Sequence, residues 1–254
     1  MKRIVAAISA LLAVCLVFGG CSAADRLSSG AYTEGTAAIT DEIYKIDIEW
    51  PHGNVMVIGN KKAKEITVKE NDGAGVVLAT RIIGSVLYIK PAKPGKEAGE
   101  KSLRVIVPSD YNFKEIEIRT KTANAGLRML KASRADIETD SGSISVVACV
   151  IDDEAELESV TGGITVIGKV EDYDISSVSG NVSITSDCIP QDIDIETVDG
   201  IITAQLPADT PAGSLKTSTG GKTVNRLTNK EKGENYSFKS ETGNIFVLEN
   251  IKAE

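Results

Sequence analysis

From residue 41 onward, apolar and polar residues alternate with period two. The runs "IYKIDIEW", "NVMVIG", "EITVKE", "VVLATRI", "SVLYIK", "LRVIVP" and "KEIEIRT" are short and rich in Ile, Val and Thr. Each is bounded by Gly, Pro or charge, which is the signature of half-buried strands. No segment after residue 40 carries the 3.6-residue period of an amphipathic helix, so the pattern predicts an all-β chain. The stretch "KPAKPGKEAGEK" (90–101) separates "SVLYIK" from "LRVIVP" and predicts an antiparallel hairpin between those two strands.

From about residue 116 the alternation becomes a repeat. "DIETDSGSISV", "ELESVTGGITV", "DISSVSGNVSI" and "DIETVDGIITA" are variants of one phrase. Their reference glycines are Gly142, Gly162, Gly180 and Gly200, with Gly220 and Gly243 continuing the series at intervals near 20. Gly53 and Gly126 suggest weaker upstream copies. Five residues before each glycine stand Ile137, Leu157, Ile175, Ile195, Leu215 and Phe238. Three before stand the hydroxyl residues Thr139, Ser159, Ser177, Thr197, Thr217 and Ser240. Two after stand Ile144, Ile164, Val182, Ile202, Lys222 and Ile245, and four after stand Val146, Val166, Ile184, Ala204, Val224 and Val247. Each unit therefore reads as strand, corner, strand. The glycine is expected to supply a positive φ or a close backbone approach. A single unit cannot bury its apolar edge, but stacked units bury a continuous aliphatic column. The predicted fold is a right-handed β-solenoid with about two strands per turn, following an N-terminal β-hairpin region. An antiparallel β-sandwich is the alternative that the same alternation permits.

Composition narrows the chemistry. The 254-residue chain carries a net charge of −8, which disfavours nucleic acid as a partner. The outward positions beside the first apolar column include Asp136, Glu138, Glu156, Glu158, Asp174, Asp194 and Glu196, with Lys216 and Lys239 continuing the line. Stacked carboxylates could attract Ca2+, but no calcium-binding glycine–aspartate repeat is present, and no metal or cofactor is expected. The inward hydroxyl column is expected to bond the turn backbone. A second, outward column (Ser145, Thr165, Ser183, Thr203, Thr223) suits strand residues, and a regular polymer could lie along it. A serine-hydrolase reading lacks a base, because His52 is the one histidine and lies far upstream. A polysaccharide-cleaving reading has carboxylates in plenty but few aromatic platforms, with Trp50, Tyr173 and Tyr236 scattered. Cys149 and Cys188 lie two units apart, about 10 Å at the strand spacing, too far for a disulfide, so two unbridged thiols are expected.

The first twenty residues form a different object. "MKR" is a basic start, and "IVAAISALLAVCLVF" is an apolar run of signal-peptide length. "FGGC" resembles the lipobox of bacterial lipoproteins, and that resemblance implies cleavage before Cys21 and lipidation of its thiol. Cleavage near Ala23 or Ala24 to release a soluble protein, or retention as an uncleaved anchor, are the other readings. Residues 22–40 are small and polar and read as a flexible tether.

The repeated "S/T-x-S-G-x-I-x-V" after "D-I-E-T", with "LRVIVPSDYNFKEIEIRT" before it, resembles the bacterial "putative adhesin" domains built of β-strand repeats. The resemblance covers roughly 41–251 and implies an envelope protein without assigned biochemistry. The expected organisation is a signal peptide (1–20), a lipidated cysteine and tether (21–40), an N-terminal β-strand region (41–115) and a repeat solenoid (116–254). The expected function is a non-enzymatic, membrane-anchored surface scaffold or contact module, with no catalytic residues and no cofactor. It would meet the membrane through its lipid, and an unidentified protein or polysaccharide at the cell surface. The rival readings are a polysaccharide-active enzyme and an envelope sensor or accessory subunit.

Overall fold

The computed structural model describes residues 32–71, 78–92, 101–229, 231–233 and 235–250. The leader, Cys21 and most of the tether lie outside the described residues, as does the greater part of the 90–101 loop.

Nearly every described segment is strand, with one 3-10 turn at Ala212–Ser214. The strands form a two-sided stack in which each turn of chain gives one strand to each side, and rungs hydrogen-bond to their neighbours in parallel. This is the two-strand-per-turn β-solenoid expected from the repeat. A sandwich of antiparallel sheets would pair these strands the other way.

Nine rungs stack among the described residues. In spatial order, rung 1 is Val86–Pro91 with Ser102–Pro108, and rung 2 is Lys45–Glu49 with Asn54–Asn60. Rung 3 is Asn112–Thr120 with Asn124–Arg128. The long strands Ile144–Ser159 and Ile164–Ser177 each bend around the edge of the stack and serve both sides. Rung 4 thus joins Lys131–Thr139 to 144–151, rung 5 joins 154–159 to 164–170, and rung 6 joins 172–177 to Val182–Ser186. Rung 7 is Asp192–Thr197 with Ile202–Leu206. Rung 8 is Asn235–Ser240 with Ile245–Glu249, and rung 9 is Leu215–Thr219 with Thr223–Asn225.

Several expectations change here. Val86–Pro91 and Ser102–Pro108 are not a hairpin; they lie on opposite sides of rung 1. Their antiparallel partners are Leu78–Ile83 and Ile66–Glu70, which close that end of the stack with Thr33–Glu34 and Ala37–Ile39 outermost. The 115/116 boundary falls inside the strand Asn112–Thr120, and residues on both sides of it share one core. Rung order departs from chain order at both ends. The Gly53 unit sits between rungs 1 and 3, and the C-terminal Gly243 unit slots between the Gly200 and Gly220 units.

The apolar columns are the core. Ile137, Leu157, Ile175, Ile195 and Phe238 lie in register and are fully buried, as are Val146, Val166, Ile184, Ala204 and Val247 on the other side. The Gly220 unit is the exception, because its register is shifted. Thr217, not Leu215, opposes Phe238, and Thr223, not Lys222, opposes Ile245. That shift explains a lysine counted in an apolar column: Lys222 is not in it, and is exposed.

The reference glycines act by close approach rather than by a positive φ, which among the six none of them adopts. A Cβ on Gly162 would lie 1.8 Å from the Gly142 carbonyl oxygen, and one on Gly180 would lie 1.9 Å from that of Gly162. Gly200 and Gly243 continue the tower at 2.0 and 1.9 Å. Gly220 stands outside this tower, against Glu241. Gly126 is not a corner at all; it lies mid-strand opposite Ser145, under the thioether of Met56.

Candidate functional site: two chemically opposed sides

The inward hydroxyls do what parity and corner chemistry predict. The backbone N–H of Gly142, Gly162, Gly180, Gly200 and Gly243 donates to Thr139, Ser159, Ser177, Thr197 and Ser240 at 2.8–3.0 Å. Several of these hydroxyls donate in turn to a glycine carbonyl of the neighbouring rung, as Ser240 does to Gly200 at 3.0 Å. Their lone pairs and protons are committed to the fold. His52 Nδ1 sits 2.8 Å from Thr122 Oγ1 at an exposed corner. Trp50, Tyr173 and Tyr236 are buried, so none offers a stacking platform for a sugar. Cys149 and Cys188 are free thiols; burial pushes the Cys149 thiol upward, away from reactivity.

What the stack presents outward differs between its sides. On the first side, parallel in-register pairing aligns Asp47, Glu117, Asp136, Glu156, Asp174 and Asp194 on six successive rungs. Ser237 and then Lys216 end the row. A second row runs Glu49, Arg119, Glu138, Glu158, Ser176, Glu196 and Lys239. Neighbours along a row are about 4.8 Å apart, the strand spacing. The repeat columns located the middle of these rows. They missed Asp47 because the Gly53 unit enters the stack out of chain order, and Glu117 because the corner that follows it carries Ala123 where the repeat has glycine.

Cations sit at the flanks. Lys45 Nζ lies 3.0 Å from Glu115 and 2.5 Å from Glu117, Arg119 pairs with Glu117, and Arg134 pairs with Glu154. Lys239 Nζ lies 3.0 Å from Glu196 at the far end. Among the described residues, Asp136, Glu158, Asp174 and Asp194 have no ion-pair partner. Partial burial, reinforced by neighbouring carboxylates, pushes Asp47 and Asp136 up to about 6 and Glu158 up to about 7. The same causes raise Glu156, Asp174 and Asp194. No three His, Cys, Asp or Glu side chains among the described residues come together as a metal site. The row is a ladder, not a cage.

The second side is nearly free of acid. Its strands in rungs 1 to 7 carry no Asp or Glu, and rung 8 adds only the terminal Glu249. The outward row nearest the bend reads Ile106, Ile58, Arg128, Val147, Ile167, Thr185 and Gln205. The outward hydroxyl column is aligned as Ser145, Thr165, Ser183 and Thr203, but Phe246 and then Val224 end it. Thr223 does not belong to it.

The fold and its surfaces define a class: a two-sided β-solenoid of stacked parallel rungs, with its stacked carboxylates gathered on one side. The matching family model spans residues 40–247, and the chain belongs to that family, Toastrack DUF4097. A crystal structure from Bacteroides fragilis described as a "putative adhesin" is similar over 87% of this chain and 98% of its own, at 11% identity and a TM-score of 0.51. A "putative cell adhesion protein" from Clostridium sporogenes matches over 87% of this chain and all of its own, at 12% identity and a TM-score of 0.38. A "putative adhesin" from Parabacteroides distasonis matches over 87% and 98%, at 14% identity and a TM-score of 0.41. No curated protein matches the chain.

Proposed function

We propose that this protein is a non-enzymatic contact module of the bacterial cell surface, held to a membrane by a lipid on Cys21. The observation that carries the reading is the division of chemistry between the two sides of the stack. One side presents an unbroken carboxylate ladder, and the other presents almost no acid. Charge gathered in this way steers and orients a partner without requiring a pocket. The partner is a protein or polysaccharide of the envelope that meets the acidic side with basic groups or a bridging cation. The similarity to proteins described as adhesins supports a surface location, and the "FGGC" motif with its polar tether supports the anchor. Capture from native envelope, with the acylated protein as bait, tests the reading. The Asp136→Asn/Glu156→Gln/Asp174→Asn variant should fold and lose its captured partner. Equal capture by both would remove the acidic side from the function. Cleavage of an envelope polysaccharide by the purified protein would replace the reading with an enzymatic one.

A further inference from the structure

The bend of the second side holds a feature that the contact-module reading does not use. Where rungs 2, 3 and 4 turn, a concavity of about 720 Å3 opens to solvent. Its volume falls within the range of small-molecule sites. Ile58, Leu130 and Val150 supply an apolar wall, and Lys61, Lys62 and Lys131 stand around it. The lining contains no carboxylate, in a protein whose net charge is −8. Among the described residues none of the three lysines takes part in an ion pair, and all three are exposed.

The backbone supplies a second, independent observation. Met129 and Ala148, on adjacent rungs and both lining the concavity, each adopt a left-handed φ of 53°. For residues with a Cβ this conformation costs about 1–2 kcal/mol. Glycine would remove the cost, and the next rung does use a positive-φ glycine at its bend, Gly168. The chain therefore keeps side chains where strain opposes them. One of them, Met129, is a large apolar side chain left 45% exposed at the mouth of the cavity. Strain of this kind collects where a surface is shaped for a ligand. Gly59 completes the shape: a Cβ there would lie 1.8 Å from the Met129 carbonyl oxygen, so only glycine lets the two bends close on each other.

We infer that this concavity is a binding site for an anionic amphiphile, a single alkyl chain carrying a phosphate or carboxylate head. The chain lies against Ile58, Leu130, Val150 and the flexible Met129 thioether. The head is met by the ammonium groups of Lys61, Lys62 and Lys131. The site does not depend on the lipid at Cys21 or on the acidic side.

The chain has three methionines, Met1, Met56 and Met129, which makes the test direct. Full-length protein labelled with 13C at the methionine methyls is titrated with dodecyl phosphate below its micelle concentration. The Met129 resonance should move saturably. Dodecyl maltoside and inorganic phosphate should each shift it at least tenfold more weakly. Lys61→Ala/Lys62→Ala/Lys131→Ala should keep its melting temperature and weaken dodecyl phosphate at least tenfold. Met129→Gly, followed by calorimetry, should melt no lower than the parent yet bind more weakly, an outcome that a purely structural role for Met129 would not give. The inference is overturned by a still Met129 resonance, by movement of Met1 alone, by equal response to the uncharged detergent or to phosphate alone, or by unchanged affinity in the triple lysine variant.

Discussion

The carboxylate ladder makes the stability of this protein depend on pH in an unusual direction. Glu158 faces Glu138 on rung 4 and Ser176 on rung 6, with Glu156 beside it on its own strand and Asp136 and Asp174 diagonal to it. Its carboxyl rises from an ordinary 4.5 to about 7, and those of Asp47 and Asp136 rise from 3.8 to about 6. A carboxyl raised in the folded state binds more protons there than in the unfolded chain at any pH between the two values. Stability therefore falls as pH climbs through that window, from about 4 to about 7, and recovers on acidification. Each shift corresponds at face value to about 3 kcal/mol. These groups are partly exposed and coupled to one another, so solvent screening leaves roughly 1 kcal/mol apiece, or about 2–3 kcal/mol for the three. A little over half of it is recovered between pH 7.5 and pH 5, which for a domain of this size is a melting-temperature rise of about 3–6 °C. Melts followed by circular dichroism at constant ionic strength read it directly. Glu158→Gln should raise the pH 7.5 melting temperature and flatten the slope, and added salt at pH 7.5 should do part of the same. A melting temperature that holds or falls on going from pH 7.5 to 5 would refute the ladder as an uncompensated charge array.

Ile175 is buried between Leu157 and Ile195, so Ile175→Asp places an unpaired charge in the column and should abolish cooperative melting. Gly180→Ala directs a methyl group to 1.9 Å from the Gly162 carbonyl oxygen, and should destabilise by roughly 3 kcal/mol or more in denaturant titrations, since backbone on both sides must move. Ser177→Ala leaves the Gly180 N–H without its 2.9 Å acceptor and should cost about 1–3 kcal/mol in the same assay. Cys21→Ala should abolish lipid labelling and detergent partitioning in cells; a mutant that still partitions would favour an uncleaved anchor.

The middle of the fold was legible in the sequence because rungs 4 to 7 follow chain order. There, period-two alternation, the hydroxyl three before each glycine and the interval near 20 all report one register. The glycines of that stretch stack on one another's carbonyls, which is why no other residue stands in their place. The ends were not legible. Gly53 lies some 70 residues before the unit it stacks on, and no local pattern states that Asn54 will pair with Asn124. The hairpin expected around 90–101 failed for a related reason: a loop between two strands does not reveal whether the chain returns along the same sheet or crosses to the other side. The acidic rows were half visible, since outward columns follow from the repeat, but Asp47 joins them through rung order and Glu117 belongs to a rung whose corner is Ala123 rather than glycine. The concavity was invisible, because Lys61, Lys62, Met129 and Lys131 meet only once three rungs are stacked.

Burial, rather than chain order, arranges the C-terminal end. In rung 8, Tyr236 and Phe238 stack on Ile193 and Ile195, and Ile245 and Val247 stack on Ile202 and Ala204; all four are 1% exposed or less. The corresponding positions of rung 9 are filled by Leu215, Thr217, Thr223 and Asn225, none of them fully buried. Fully burying a large apolar side chain is worth about 1.5–3 kcal/mol, so giving the inner place to the aromatic pair gains several kcal/mol over the sequential order. Against that stands the closure of the 226–234 connection, whose entropy grows only slowly with length. The same logic puts Ile46, Ile48, Val55 and Val57 of rung 2 between two neighbours. A linear stack is weakest at its terminal rungs, where each strand has one partner. Here the earliest and the latest rung-forming segments are clamped on both sides, and a polar rung bearing Lys216 and Lys222 takes the open edge. Lysines at such an edge oppose pairing with a second molecule, so the device that secures the end of the stack also keeps it from growing.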